Sequence, residues 1–335
     1  MSGSRRTELA RADRILPGVW RQRLPLPWPG VPHGNAFAVA ADGGIVLFDT
    51  GMATADGERQ LELGLAQAGW RLADVRLVVC THAHADHYGL AGPIVDAAGC
   101  ELWMHPRWEH VRAYAEDPAG ALERRVEVAR QSGVPMAALE RYQQQRQNAD
   151  TGIARVVEPD RELVPGVEVS TDLGDWQVYE TPGHAPSHVV LHQPDRGLMI
   201  SGDHLLGRVS VFFDYGHSPD PVSEFIGGLD AVEDLPTSLC LAGHGRPFRD
   251  VPAKVAANRA QLDQHLTSVR ATIDSGPHTA FEVATELIGA DNLNPATAPW
   301  ALQLSLAYLD HLVLAGEAEV GEESAEEVKR WRSVD

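Results

Sequence analysis

The stretch Thr81-His82-Ala83-His84-Ala85-Asp86-His87-Tyr88-Gly89 places three histidines and one aspartate within six residues. It follows residues 75–80, a short apolar run that is rich in β-branched side chains and therefore predicts a buried strand. A loop anchored at the end of a strand is a place where side chains can converge on one point. Imidazole nitrogen and carboxylate oxygen together suit a borderline metal ion such as zinc. The stretch therefore predicts a metal site at a strand end.

The pattern His-x-His-x-Asp-His after an apolar strand resembles the signature of the metallo-β-lactamase superfamily. Three later segments match further landmarks of that family: Pro182-Gly183-His184, Ser201-Gly202-Asp203 and Gly243-His244-Gly245. The resemblance implies seven metal ligands: His82, His84 and His184 for a first ion, Asp86, His87 and His244 for a second, and Asp203 as the bridge between them.

Three further residues lie near these ligands, and the identity of residue 203 itself indicates the branch of the superfamily. Asp49 is expected to organise the metal-binding loop by hydrogen bonding and not to bind metal itself. The aspartate at position 203, where cysteine-type β-lactamases carry sulfur, moves the interpretation towards glyoxalase II-like and related hydrolases. We expect His188 to support the structure, and His204 is the weaker candidate beside Asp203.

The resemblance covers about residues 17–250 and implies an α/β fold, the four-layer αβ/βα sandwich of the superfamily. Strand and helix signals in two halves of the chain agree with that architecture. Residues 106–150 are polar and helical in character, and they predict a helical insertion that is either a lid over the site or a surface layer. We therefore divide the chain into a metallo-β-lactamase-like domain, residues 1–250, and a small, mostly helical C-terminal domain, residues 251–335.

The C-terminal residues 251–335 predict three helices followed by a strand, an order that resembles the winged-helix-like tail of a hydrolase branch that includes an endoribonuclease. This segment contains six Lys or Arg and thirteen Asp or Glu. Such an acidic surface repels phosphates. We therefore expect the tail to be a structural or dimerisation element that completes the substrate pocket.

Two segments near the N-terminus are predicted to lack regular structure. Residues 1–18 predict a loosely structured arm. Residues 24–34 contain four prolines, which remove backbone donors and fix φ, so they predict a rigid loop and not a strand. On this loop Trp28 and His33 would line the rim of an active site or belong to a packed surface turn.

The composition excludes several classes of protein. The 335 residues include 28 Lys or Arg and 47 Asp or Glu, and the net charge of −19 argues against a nucleic-acid or anionic-membrane partner. The three cysteines are isolated, which indicates no disulfide framework. We find no stretch of transmembrane length and no signal-peptide pattern. The expectation is a soluble cytoplasmic protein.

For the activity, the resemblance implies a hydrolase in which a hydroxide bound to two divalent metal ions attacks a small-molecule carbonyl group. Zinc is the expected metal, with iron or manganese as alternatives. Asp86 is the candidate catalytic residue, because it would orient the attacking group or pass a proton to the leaving group. A thioester is the first expected substrate, and a lactone or an ester the second.

Two other functions stay open at this point. The first is an RNA phosphodiester hydrolase, which the tail favours and the charge opposes. The second is an iron-dependent oxidoreductase of the same fold, which the histidines at positions 84, 87 and 244 oppose. The expected partner is a small-molecule substrate, without nucleic acid or membrane, and with a homodimer as one option.

Overall fold

Two β-sheets form the centre of this computed structural model, which describes residues 11–28, 30–208, 210–323 and 328–334. The first sheet has seven strands in the order of the chain: β1 (Arg11–Leu16), β2 (Val19–Trp28), β3 (Val31–Ala41), β4 (Gly44–Phe48), β5 (Val75–Val79), β6 (Glu101–Met104) and β7 (Arg161–Glu162). The second has five strands: β8 (Glu168–Thr171), β9 (Gly174–Glu180), β10 (Val189–Gln193), β11 (Leu198–Gly202) and β12 (Leu239–Ala242). Their spatial order is β12-β11-β10-β9-β8.

The helices lie mostly outside these sheets. In chain order they are α1 (Ala55–Ala68), α2 (Ala85–Tyr88), α3 (Ala91–Ala98), α4 (Glu109–Glu116), α5 (Pro118–Gln131), α6 (Met136–Arg146), α7 (Pro221–Glu233), α8 (Val251–Asp274), α9 (Ala280–Ile288) and α10 (Ala298–Leu314). A hairpin of β13 (Ala318–Glu323) and β14 (Val328–Ser333) follows. Within the described residues, none of the helices combines the length and the apolar character that crossing a lipid bilayer requires.

Buried apolar side chains divide the protein into four layers. Between the two sheets, the rings of Phe48 and Trp176 lie 5.4 Å apart within one hydrophobic cluster. On the outer face of the first sheet, α1 and α3 bury Leu61 and Ile94. On the outer face of the second, α7 and α8 bury Phe225 and Val255. The predicted αβ/βα sandwich is confirmed.

The burial of the central strand β4 explains why its sequence is apolar at every position. All five of its residues are buried, because α1 and α3 cover one face of the sheet and the second sheet covers the other. A strand covered on both faces needs apolar side chains at every position, so Gly44–Phe48 is a continuous apolar run and not an alternating one.

The C-terminal segment contains the three helices that the sequence predicts, followed by the β13–β14 hairpin. These elements share one hydrophobic cluster with the second sheet and α7, which includes Val190, Phe225, Tyr308 and Trp331. Because this core lies on both sides of residue 250, the domain boundary there stays a prediction, as does the winged-helix classification.

Both predictions of irregular structure near the N-terminus are wrong for the described residues. Strand β1 pairs antiparallel with β2 from Arg11 opposite Arg23 to Leu16 opposite Val19, whereas residues 1–10 lie outside the described residues. Residues 24–28 continue β2, although they include Pro25 and Pro27. The described part of β1 reaches only to Arg23, so here β2 pairs with β3 alone, and proline is tolerated on such an edge.

Candidate metal centre

The predicted ligands follow the carboxyl ends of four strands, β5, β9, β11 and β12, which meet at one edge of the sandwich. The His82-to-His87 segment follows β5, His184 follows β9, and His244 follows β12. Asp203 comes directly after β11, which runs parallel to β12. This geometry brings residues that are far apart in the chain to the same edge, and all seven predicted ligands lie there.

The first group of ligands consists of three histidine rings that face one another. Nε2 of His82 lies 3.1 Å from Nδ1 of His84, and Nε2 of His184 lies 3.1 Å from the same nitrogen. The three nitrogens are therefore close enough to hold one ion. Zinc commonly takes three protein ligands of this kind and leaves a further position open for water or substrate.

The second group combines carboxylates with imidazoles. Oδ2 of Asp86 lies 3.4 Å from Nε2 of His87 and 3.2 Å from Nε2 of His244. Asp203 lies between the two groups, because its Oδ2 is 3.1 Å from Nε2 of His244 and 3.7 Å from Nε2 of His184. This is the position that a bridging carboxylate would require.

Hydrogen bonds on the outer side of the rings favour the tautomers that metal binding needs. Nδ1 of His82 donates to Oγ1 of Thr81 (3.0 Å), and Nδ1 of His87 donates to Oδ2 of Asp49 (2.9 Å). Likewise, Nδ1 of His244 donates to the carbonyl oxygen of His33 (3.0 Å). In each ring the other nitrogen then carries the lone pair and faces the ligand cluster, as in metal-binding histidines generally.

Asp49 has the role that the resemblance implies. Its backbone is left-handed with φ of 60°, and its carboxylate accepts hydrogen bonds from the backbone N–H of Thr81 (2.8 Å) and from the ring of His87. Asp49 is buried and lies directly after β4. It therefore holds both ends of the loop that carries the first ligands.

The buried polar atoms of the centre fit a bound cation pair. Oδ1 of Asp203 and Nε2 of His87 are buried and make no hydrogen bond within the described part of the chain. Such groups are costly unless a partner satisfies them, and two buried carboxylates call for positive charge. A Cβ on Gly243 would lie 2.3 Å from Oδ1 of Asp203, so only glycine allows this approach. The residues present thus suit two divalent ions.

The two groups differ in how they hold protons. Burial lowers the pKa of His184 to about 4 and that of His82 well below its usual range, so both rings are neutral at pH 7. Burial also disfavours a charged His87 ring, but the carboxylates of Asp86 and Asp203 outweigh it and raise the pKa of His87 well above its usual range. The second group therefore needs a positive charge, supplied either by protons on its histidines or by a metal ion.

The sequence analysis missed the carboxylate that supports His84. Oδ2 of Asp214 accepts from Nε2 of His84 (3.3 Å), which leaves Nδ1 of this ring free for the first ion. His217 lies 3.6 Å from the same oxygen, and His110 is close enough to belong to the cluster. Asp214 lies in an irregular segment between β11 and α7 and carries no motif, so no sequence signal identifies it.

His188 and His204, the two histidines beside the predicted ligands, have different surroundings. His188 is fully engaged, because its Nδ1 donates to Oγ1 of Thr181 (2.8 Å) and its Nε2 accepts from the backbone N–H of Asp203 (3.0 Å). His204 is buried against the ring of Phe225, with centroids 4.6 Å apart. His188 thus fixes the backbone of Asp203, and His204 contributes to packing.

A cavity of about 1340 Å³ opens onto the metal centre. The helical insertion contributes His110, Tyr114 and Arg146 to its wall, and α10 of the C-terminal segment contributes Trp300. Trp28 and the neighbouring β3 also line it. The site is therefore enclosed by parts of the chain that lie on both sides of the ligand motifs, and whether the insertion moves as a lid stays a prediction.

The αβ/βα sandwich and the arrangement of predicted ligands at its edge define the class of this protein, a metallo-hydrolase. The model of the metallo-beta-lactamase superfamily matches residues 29–244, and the chain therefore belongs to that superfamily. The prediction of a metal-dependent hydrolase is confirmed at the level of this class.

Known proteins resemble the chain over most of its length. It is 27% identical over 276 residues to the probable metallo-hydrolase YqjP of Bacillus subtilis, covering 80% of this chain and 84% of that protein. The metallo-beta-lactamase family protein TTHA1429 of Thermus thermophilus superposes with a TM-score of 0.81 at 26% identity, over 96% of this chain and 100% of the other. A beta-lactamase domain protein of Burkholderia ambifaria gives a TM-score of 0.84 at 26% identity, over 98% and 95%.

Removing metal should destabilise the folded protein. An ion that binds only the folded state, present at a hundred times its Kd, contributes about 2.7 kcal/mol. Without it, the carboxylates of Asp86 and Asp203 are compensated only by protons on His87 and His244. We expect chelation to lower the midpoint of thermal unfolding by about 5–10 °C. Scanning calorimetry of the metal-loaded, metal-free and reloaded protein measures this. An unchanged midpoint in protein shown to be metal-free would contradict the assignment.

Proposed function

We propose that this protein hydrolyses a small-molecule carbonyl compound, with a thioester as the first candidate and a lactone or an ester as the second. The observation that carries the proposal is the position of Asp203 between two complete sets of ligands, since a carboxylate oxygen lies near His184 of one set and His244 of the other. Zinc is the metal we propose first, because imidazole and carboxylate are ligands it accepts.

The proposed chemistry needs an activated water and a polarised carbonyl. Two divalent ions held by the seven predicted ligands would supply a water of lowered pKa and a Lewis acid for the substrate carbonyl. Asp86 faces the same space, and its carboxylate lies within 3.4 Å of Nε2 of His87 and of Nε2 of His244. We assign it the task of orienting the water and passing its proton to the leaving group.

Other residues position the reacting groups. Asp214 orients the ring of His84. His110 lines the cavity and donates from Nδ1 to the carbonyl oxygen of Arg107 (3.1 Å), whereas its Nε2 is buried and has no hydrogen-bond partner among the described residues. Burial lowers the pKa of His110 to about 4, so its ring stays neutral in the working range.

Two observations support a small molecule over RNA as the substrate. The cavity wall closes around the centre from both the insertion and α10, which suits a ligand that enters a pocket. The C-terminal segment has six Lys or Arg against thirteen Asp or Glu, and such an acidic surface repels the phosphates of nucleic acid. The complete second ligand group likewise favours a hydrolase over an oxidoreductase with a single iron.

Metal analysis of protein purified without added metal tests the proposal, together with hydrolysis assays on a thioester, a lactone and an RNA panel. We expect two equivalents of divalent metal and turnover of the thioester or the lactone. The His244→Gln variant should lose about one equivalent, whereas His311→Gln, a histidine that does not line the cavity, should keep both. One iron per chain with oxygen uptake, or cleavage of RNA alone, would contradict the proposal.

A further inference from the structure

Positive side chains outnumber negative ones on the cavity wall, whereas negative side chains outnumber positive ones in the whole chain. The chain has 28 Lys or Arg against 47 Asp or Glu. Among the described residues, the cavity wall has seven arginines and five aspartates, namely Arg11, Arg21, Arg23, Arg125, Arg146, Arg208 and Arg246 with Asp13, Asp86, Asp150, Asp203 and Asp214. Two of these aspartates are predicted metal ligands, so the loaded cavity is strongly positive.

Several of these arginines already have partners. Arg11 and Arg21 both pair with Asp13, the first at 2.7 Å. Arg125 and Arg146, on the insertion, lie over tyrosine rings, with Arg125 5.2 Å from the ring centroid of Tyr114. These side chains are engaged by the protein itself, so they do not require a ligand.

Arg208 and Arg246 differ from the others. Both are exposed, and the side chain of neither forms a hydrogen bond or an ion pair with any residue that the structure describes. Among the described residues, neither guanidinium group lies over an aromatic ring, unlike those of Arg125 and Arg146. Their guanidinium groups remain available to a molecule that enters the cavity.

The two arginines lie on loops that contact each other beside the metal centre. Arg246 is two residues after His244, and Arg208 is five residues after Asp203. A Cβ on Gly207 would lie 3.1 Å from the carbonyl oxygen of Arg246, so the two loops are in contact. Nζ of Lys254 donates to the carbonyl oxygen of Gly207 and adds a third positive charge to the same region.

We infer that Arg208 and Arg246 form a binding subsite for an anionic group of the substrate, a carboxylate or a phosphate. A guanidinium group offers paired donors that match both oxyanions, and charge-assisted hydrogen bonds of this kind are strong. Positive groups inside a cleft also focus the electric field, which offsets the repulsion of an anion by the net charge of −19. The inference rests on the proposed hydrolase function and specifies its substrate class.

The substrate class is thus a carbonyl compound that carries an anionic group outside the reacting bond. Among thioesters, that group is a carboxylate in conjugates of glutathione and a phosphate in conjugates of coenzyme A. The shared chemistry is an oxyanion held by two arginines, while the reacting carbonyl reaches the metal centre.

Direct binding tests this subsite without turnover. Isothermal titration of the full-length, metal-loaded protein uses three unreactive thioethers: S-methylglutathione, S-methyl-coenzyme A and the uncharged S-methyl-N-acetylcysteamine. We expect at least one anionic thioether to bind, and Arg208→Gln and Arg246→Gln each to weaken that binding about tenfold or more. Higher salt should weaken it as well. The Arg196→Gln variant removes an exposed arginine outside the cavity and is the matched control.

Each outcome decides the inference. Selective loss of anion binding in the two cavity variants, with Arg196→Gln unchanged, supports it, and the preferred thioether identifies carboxylate or phosphate. Equal binding by wild type and variants, or no binding of either anionic thioether, overturns it. A protein that binds the anion but hydrolyses none of the carbonyl substrates retains the subsite and loses the proposed function, so the two failures are distinguishable.

Discussion

The Asp86→Asn variant should lose turnover by about a hundredfold to ten-thousandfold, which is the range expected when a general acid–base group is removed. The carboxylate oxygen of Asp86 lies 3.2 Å from Nε2 of His244 and 3.4 Å from Nε2 of His87. An amide of nearly the same size fits this buried position but can neither hold a proton nor supply a negative charge. Steady-state kinetics and metal analysis of the same preparation measure the effect.

The metal content of this variant separates two roles of Asp86. Two bound equivalents with slow turnover indicate the proton-transfer role, whereas loss of one equivalent indicates that Asp86 acts chiefly as a ligand. Asp214→Asn is the matched control, because Asp214 is a carboxylate at the same centre that contacts the outer nitrogen of His84, and its loss should cost only about 10–100-fold. Full turnover of Asp86→Asn with both metals bound would remove Asp86 from the mechanism.

The Asp49→Asn variant should lose the second metal ion while it keeps its fold. Asparagine tolerates the left-handed backbone of residue 49, where φ is 60°. Its amide oxygen must face the backbone N–H of Thr81, which can only donate. The amide nitrogen then faces Nδ1 of His87 and donates to it, so the ring proton moves to Nε2, the atom that should bind metal.

We expect this change of tautomer to lower the affinity for the second ion about 10–100-fold, with the first ion retained. Metal titration against a competing chelator measures the two affinities, and nitrogen chemical shifts of the His87 ring report the tautomer. Asp172→Asn is a suitable control, because Asp172 accepts from the backbone N–H of Asp42 on an exposed turn. Wild-type affinity for both ions in Asp49→Asn would show that the hydrogen bond does not control the site.

The features that sequence could predict are those encoded by local patterns. Residues 82–87 follow a strand directly, so their side chains had to emerge at its end, and the structure places them there. The glycine before His244 indicated a close backbone approach, which the 2.3 Å from a Cβ on Gly243 to Asp203 explains. The sandwich itself came from the resemblance and not from periodicity.

The features that sequence could not predict depend on contacts between distant segments. Pro25 and Pro27 argued against a strand, but their effect depends on how far the neighbouring strand extends, and the described part of β1 pairs with β2 only as far as Arg23. Asp214 supports His84 across 130 positions from a segment without regular structure. Arg208 and Arg246 lie on neighbouring loops only because the loops after β11 and β12 are in contact. Tertiary packing decides all three.

Helix α10 both lines the cavity and packs in the core, and this bears on how the substrate preference of such a protein could change. Its first turns place Pro299, Trp300 and Gln303 on the cavity wall, while Tyr308 further along is buried in the core. A substitution that reshapes this wall therefore also disturbs the packing of α10 on the core. The stability of the fold thus limits which substitutions the wall tolerates. The side chains of Arg208 and Arg246 are exposed and lie outside this core, so we expect new substrate preferences to arise there first.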